Sequence, residues 1–268
     1  MRVAQTNVQL YNELRARGLV LDELVLVRRA YELLATLYPG YYQADGKPFV
    51  AHGVGVASIL GQLGQPSEIV AVGLLHNVYG NADFGDGRGP AATRARRRLV
   101  RDQVGARIEE LLLRFAELRV QGRGAGATRA GVGALDDTER RLLVVDLADY
   151  LEKYVDLGVL YYGENDWVID TGRRIGSQLT RLAEELGEPR LAAALRAGLA
   201  DAAAQADDVP FELRSSDGRR YLKLVVPRSC RRRLKPALRD QVRSVRGVLR
   251  PRTRLRSRRD RRPVRTGP

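Results

Sequence analysis

Residues 49–80 read FVAHGVGVASILGQLGQPSEIVAVGLLHNVYG, two apolar helical runs with a break between them. The first runs from about Val50 to Leu63 and stops at Gly64. The second starts at Pro66, which suits a first helical turn, and reaches about Tyr79, with Gly80 just past its end. A turn as short as Gly64-Gln65-Pro66 makes the two helices antiparallel neighbours. His52 lies about twelve residues before that turn and His76 about ten after it, so at about 1.5 Å per residue both fall at one end of the pair. These are the two histidines of the chain. Two imidazoles converging there can share a metal ion.

Working outward, the pattern stays helical over residues 1–207. Thr6 caps a short helix ending near Gly18, and Asp22 opens another with Leu24, Val27, Tyr31, Leu34 and Tyr38 at helical spacing until Pro39-Gly40. Helices are predicted over 91–104 and 106–119. Asp136, with Glu139 three residues on, starts a long one ending near Leu157. Two more cover 166–186 and 189–205. The Gly-rich segment 121–134 reads as a mobile loop and, without GKS/T, is not a phosphate-binding loop. In residues 208–227, two β-prone runs flank Asp217-Gly218, predicting a β-hairpin. The expected architecture is an all-α helical domain (1–207), a small C-terminal β-hairpin (208–227) and a disordered basic tail (228–268).

Charge separates tail from body. The 268 residues carry a formal net charge of +14, but residues 228–268 hold 17 Arg or Lys against two acids, leaving 29 bases and 30 acids in residues 1–227. The body is therefore not a basic nucleic-acid-binding domain. The tail suits non-specific contact with nucleic acid or an anionic membrane and has no aromatic residue for base stacking. An equally simple account is compositional drift, since 42 of the 46 bases are Arg. A single cysteine, Cys230, excludes an intramolecular disulfide framework and a cysteine zinc cage. Without a transmembrane run or a signal-type apolar core, the sequence points to the cytoplasm.

A third metal ligand has a source in LLVVDLADYLEKY, residues 142–154, an apolar stretch carrying Asp146 and Asp149. Acids three apart share a helix face, and an acid among apolar residues needs a partner or a metal. Two imidazoles and a carboxylate suit one Mn, Fe or Zn ion. The plainer account makes the histidines hydrogen-bonded packing residues and pairs an aspartate with Lys153. The loop GNADFGDGRGP, residues 80–90, brings Asp83, Phe84, Asp86 and Arg88 after His76 and suits substrate contacts. Arg94, Arg96, Arg97 and Arg98 either meet an anion or form a solvated helix face. Tyr41, Tyr42 and Lys47 either rim the same pocket or pack, and Tyr161, Tyr162 and Trp167 read as core or helix-joining residues rather than a stacking platform.

Three segments, GKPFVAHGVGVASIL (46–60), IVAVGLLHNVYG (69–80) and LLVVDLADYLEKY (142–154), resemble the signatures of the HD superfamily. The likeness is nearest to the hydrolase domain of the bifunctional guanosine tetraphosphate synthetase/hydrolases and covers roughly residues 25–160. It implies an HD-like helical bundle and a metal on His52, His76 and Asp149, with Asp146 as the alternative register. The family's His-Asp doublet is His76-Asn77 here, and its acidic pair four and five residues on is Gly80-Asn81. Asn77, Asp83 and Asp86 are then the candidate catalytic residues, and Lys47 and Arg88 the candidate substrate contacts. The expected function is a metal-dependent hydrolase of a phosphorylated or otherwise anionic small molecule. The alternative is a catalytically inactive HD-like ligand-binding or protein-interaction module.

Overall fold

Pro48 and Pro66 occupy the N-cap positions of the two central helices, α3 (Phe49–Gln62) and α4 (Ser67–Leu75). The computed structural model of the chain describes residues 1–120, 132–162, 166–214 and 222–225. Every residue from His52 to Gln62 is buried, as is all of α4 except Glu68. A helix apolar on all sides belongs in the middle of a core, and these two lie there, packed on one another.

Around them stand α1 (Asn7–Ala16), α2 (Leu21–Leu37), α5 (Val78–Asn81), α6 (Arg94–Val104), α7 (Ala106–Val120) and α8 (Asp137–Val155). Two further helices, α9 (Asp166–Glu185) and α10 (Pro189–Gln205), pack on each other, and α10 packs on α8. The protein is mostly helical, as its periodicity predicts. Thr6 and Asp136 each cap their helix in a reciprocal capping box. The main core gathers Leu34, Val56, Leu60, Leu75, Phe115 and Leu147, among others. Burying each such side chain contributes about 1.5–3 kcal/mol.

Close approach sets the geometry of the α3–α4 pair. A Cβ added to Gly53 would stand 2.8 Å from Leu34 Cδ2 and 2.9 Å from the Leu74 carbonyl oxygen. Only a glycine lets α3 lie this near the α4 backbone. Buried polar groups on α3 are used to tie down the N-terminus. Ser58 accepts from the Ala4 amide and donates to Glu13, while Gln62 donates to the Arg2 carbonyl.

One helix boundary is corrected. The second central helix does not run on to Tyr79; it ends at Leu75, and α5 begins after the His76-Asn77 step. Between α2 and α3, β1 (Tyr41–Gln43) pairs antiparallel with β2 (Leu222–Leu224), Tyr42 facing Lys223. Within residues 208–227, Phe211–Leu213 form a 3-10 turn and Leu222–Leu224 form β2, while residues 215–221 between them lie outside the described residues. The Asp217-Gly218 turn, most of the Gly-rich segment and the basic tail lie outside the described residues. Residues 1–225 form one compact unit. No described helix is long and apolar enough to cross a membrane.

Replacing Gly53 with Ala is expected to destabilise the fold by about 1–3 kcal/mol through overpacking, read as a shift in urea unfolding midpoint.

A second outcome concerns Glu109, buried where α5, α6 and α7 meet. It accepts from Arg97 Nε (2.6 Å), Arg101 Nη2 (2.8 Å) and the Tyr79 hydroxyl (3.1 Å). Hydrogen bonding by Arg97 chiefly holds its carboxyl down to about 2, against a usual 4.5. A depressed carboxyl stabilises the fold above its unfolded value and loses that contribution as pH falls through the folded one. Stability should therefore decline between pH 4.5 and 2, and thermal unfolding of Glu109→Gln should show a shallower decline there.

Candidate metal centre

Each histidine already commits one ring nitrogen. His76 follows the last residue of α4, and its Nδ1 donates to the Gly73 carbonyl at 2.7 Å. A carbonyl can only accept, so in the neutral ring Nε2 carries the lone pair. His52, in the first turn of α3, donates from Nδ1 to Glu152 Oε2 at 2.6 Å. Both Nε2 atoms therefore turn to a common point, 3.3 Å apart. Asp149 Oδ1, from α8, joins them at 3.1 Å from His52 Nε2 and 3.5 Å from His76 Nε2.

All three side chains are buried, and their ligand atoms form a group that can hold a metal ion. The spacing fits: a transition ion bound at about 2.0–2.2 Å holds its ligands about 3.0–3.6 Å apart. The supports fit too, because metal-bound histidines commonly donate their other N–H to a carboxylate or a backbone carbonyl, the two partners found here.

Electrostatics decide the protonation of the group. Burial alone would push His52 down, but the Glu152 and Asp149 carboxylates raise it. His76 is lowered, chiefly by burial. Asp149 is raised by burial but more strongly lowered by Lys153 and the imidazoles, so it stays well below the usual carboxylate range. Glu152 is likewise lowered, its burial offset by His52 and Lys47. The arrangement has two chemical uses. A cation can sit against two lone pairs and a carboxylate, or His52 as an imidazolium can bridge Asp149 and Glu152.

The structure brings together His52, His76 and Asp149 and places other candidates as follows. Asn77 adjoins the group, with its Nδ2 at 2.7 Å from His76 Nε2. Asp146 is buried but lies one turn away, outside the group. Lys47 is turned to Glu152 Oε1 (2.7 Å) and Asp156 Oδ2 (2.5 Å), so it supports the centre from behind.

Asp83 and Asp86 do not join the histidines. Asp83 accepts from the Gly85 amide, and its own amide donates to the Leu37 carbonyl, pinning the loop to α2. Asp86 is held by Arg96 and lowered to about 2, chiefly through that hydrogen bond. Arg96 spends five N–H bonds on Asp86 and on the carbonyls of Arg88, Gly89 and Ala91. Its guanidinium also lies 4.7 Å from the Phe84 ring centre. Arg88 engages this loop through its backbone, and its side chain is exposed.

Glu152 and Lys153 complete the centre. Lys153 Nζ stands 2.6 Å from Asp149 Oδ1, the aspartate–lysine pair that sequence spacing allowed. Glu152 lies outside the sequence-based candidates, although 146, 149 and 152 form a series of acids three apart in an apolar helix. Its room comes from Gly55, where a Cβ would stand 2.8 Å from Glu152 Cγ and Oε1.

The family model for a domain of unknown function, DUF6817, matches residues 33–119. The match takes in α3 and α4 with both histidines, and ends before α8, which supplies Asp149. None of the curated proteins compared with the chain matches it.

Proposed function

We propose that this chain is an HD-like cytoplasmic protein that holds one divalent ion, Mn, Fe or Zn, on His52, His76 and Asp149. We further propose that it hydrolyses a phosphorylated or otherwise anionic small molecule. The observation that carries this reading is the convergence of three donor atoms within 3.5 Å of one another, with both Nδ1 atoms committed elsewhere. The resemblance of residues 46–60, 69–80 and 142–154 to HD signatures supports it. A divalent ion bound there supplies Lewis acidity toward an anionic oxygen of the substrate. Glu152 and the Gly73 carbonyl orient the two imidazoles. Asn77, beside His76, can offer an amide oxygen or an N–H to the reacting group. Lys153 keeps a positive charge next to Asp149 that suits a phosphate oxygen.

A second reading, a catalytically silent HD-like module, has its own support. Asn77 stands where the family has aspartate, and the two loop acids that would substitute are engaged elsewhere. Metal analysis followed by a phosphoester screen separates the two. Chelator-free protein should carry about one equivalent of metal, lost in His76→Ala with helicity near wild type. Loaded protein that turns over no phosphoester would favour the silent module. Protein that takes up no metal after reconstitution would overturn the metal centre itself.

The support of His52 is open to a finer measurement. Glu152→Gln should weaken metal affinity about 10–100-fold, measured by competition with a fluorescent chelator. An unchanged affinity would remove Glu152 from the centre.

A further inference from the structure

On α6, Arg94, Arg97, Arg98 and Arg101 recur at intervals of three and four, which puts all four guanidinium groups on one face. With Ala92 and Asp102 they line a concavity of about 670 Å³. The packing role on this helix belongs to the buried Val100 and Val104, which join the main core, and to Arg96, which is buried and hydrogen-bonded into the 86–91 loop. The other four are not needed to hold α6 in place by apolar contact.

Their placement is unfavourable by local rules. Like charges three and four residues apart repel along a helix. Arg94, Arg96 and Arg97 also stand in or beside the first turn, at the positive end of the helix dipole, and that turn contains no acid of its own; Asp86 and Glu109 pair with Arg96 and Arg97 from outside the helix. The acids beside the four are Asp102, 3.8 Å from Arg98, and the buried Glu109, leaving a surplus of positive charge. Glu109 does more than neutralise. It fixes Arg97 by two bonds and Arg101 by one, and each retains N–H groups for a ligand. Two of the four cations are thus held in place before anything binds, which lowers the ordering cost of binding.

We infer that this face of α6 is an anion site, separate from the histidine centre, for a compact ligand carrying clustered phosphates. Guanidinium forks match phosphate oxygens in pairs, and a concavity of this size suits a small multiply charged anion.

The test uses the full chain and inorganic tripolyphosphate, with calorimetry and hydrogen–deuterium exchange. In wild type the anion should slow exchange across residues 92–104. Arg94→Gln with Arg98→Gln leaves every Glu109 bond intact, so the helix keeps its anchors. That double variant should lose the protection at 92–104 and bind about tenfold more weakly. Equal protection in the variant would overturn the site. Protection confined to residues 228–268, whose charge attracts the same probe, would overturn it as well.

Discussion

The Nε2 atoms of His52 and His76 approach to 3.3 Å because α3 and α4 lie nearly backbone against backbone where Gly53 meets the Leu74 carbonyl. Much else depends on that approach. It lets two consecutive helices present imidazoles to one point, and it leaves α8 to close the third side with Asp149. A methyl group at position 53 would hold the helices apart and open the triangle.

Burying so much charge needs complete pairing, and the centre has it. His52 is held by Glu152, Glu152 by Lys47, Lys47 by Asp156, and Asp149 by Lys153. Each charge has an opposite neighbour at hydrogen-bond distance, which offsets the desolvation that an isolated buried ion would suffer. The same pairing sets the orientation of the ligand side chains, as hydrogen-bonded supports do around a metal or a positioned imidazole. The loop after His76 follows the same logic on a partly exposed site, where Arg96 saturates its donors on Asp86 and three carbonyls. Asp86 shapes that loop and is thereby withdrawn from the histidines.

Much of the helical body was legible because its signals are local. Apolar spacing, the caps at Thr6 and Asp136, and the Gly64–Pro66 break concern residues a few positions apart. The pairing of β1 with β2 was not legible, since the partners are about 180 residues apart and each strand is three residues long. Glu152 was half legible. Its place in the series of acids showed a buried polar face, but the choice of His52 as its partner required the α3–α8 packing and the space left by Gly55.

By itself, the sequence determined that the protein is mainly helical, that its two histidines share one end of a helical pair, and that acids sit in an apolar helix far along the chain. These follow from periodicity and from charges placed among apolar residues. Tertiary structure decided which aspartate meets the histidines, which acid supports them from behind, and that Asp83 and Asp86 stay away. The physical reason is range. A helix turn constrains neighbours three or four residues apart, while the meeting of residue 52 with residue 149 depends on how whole helices pack.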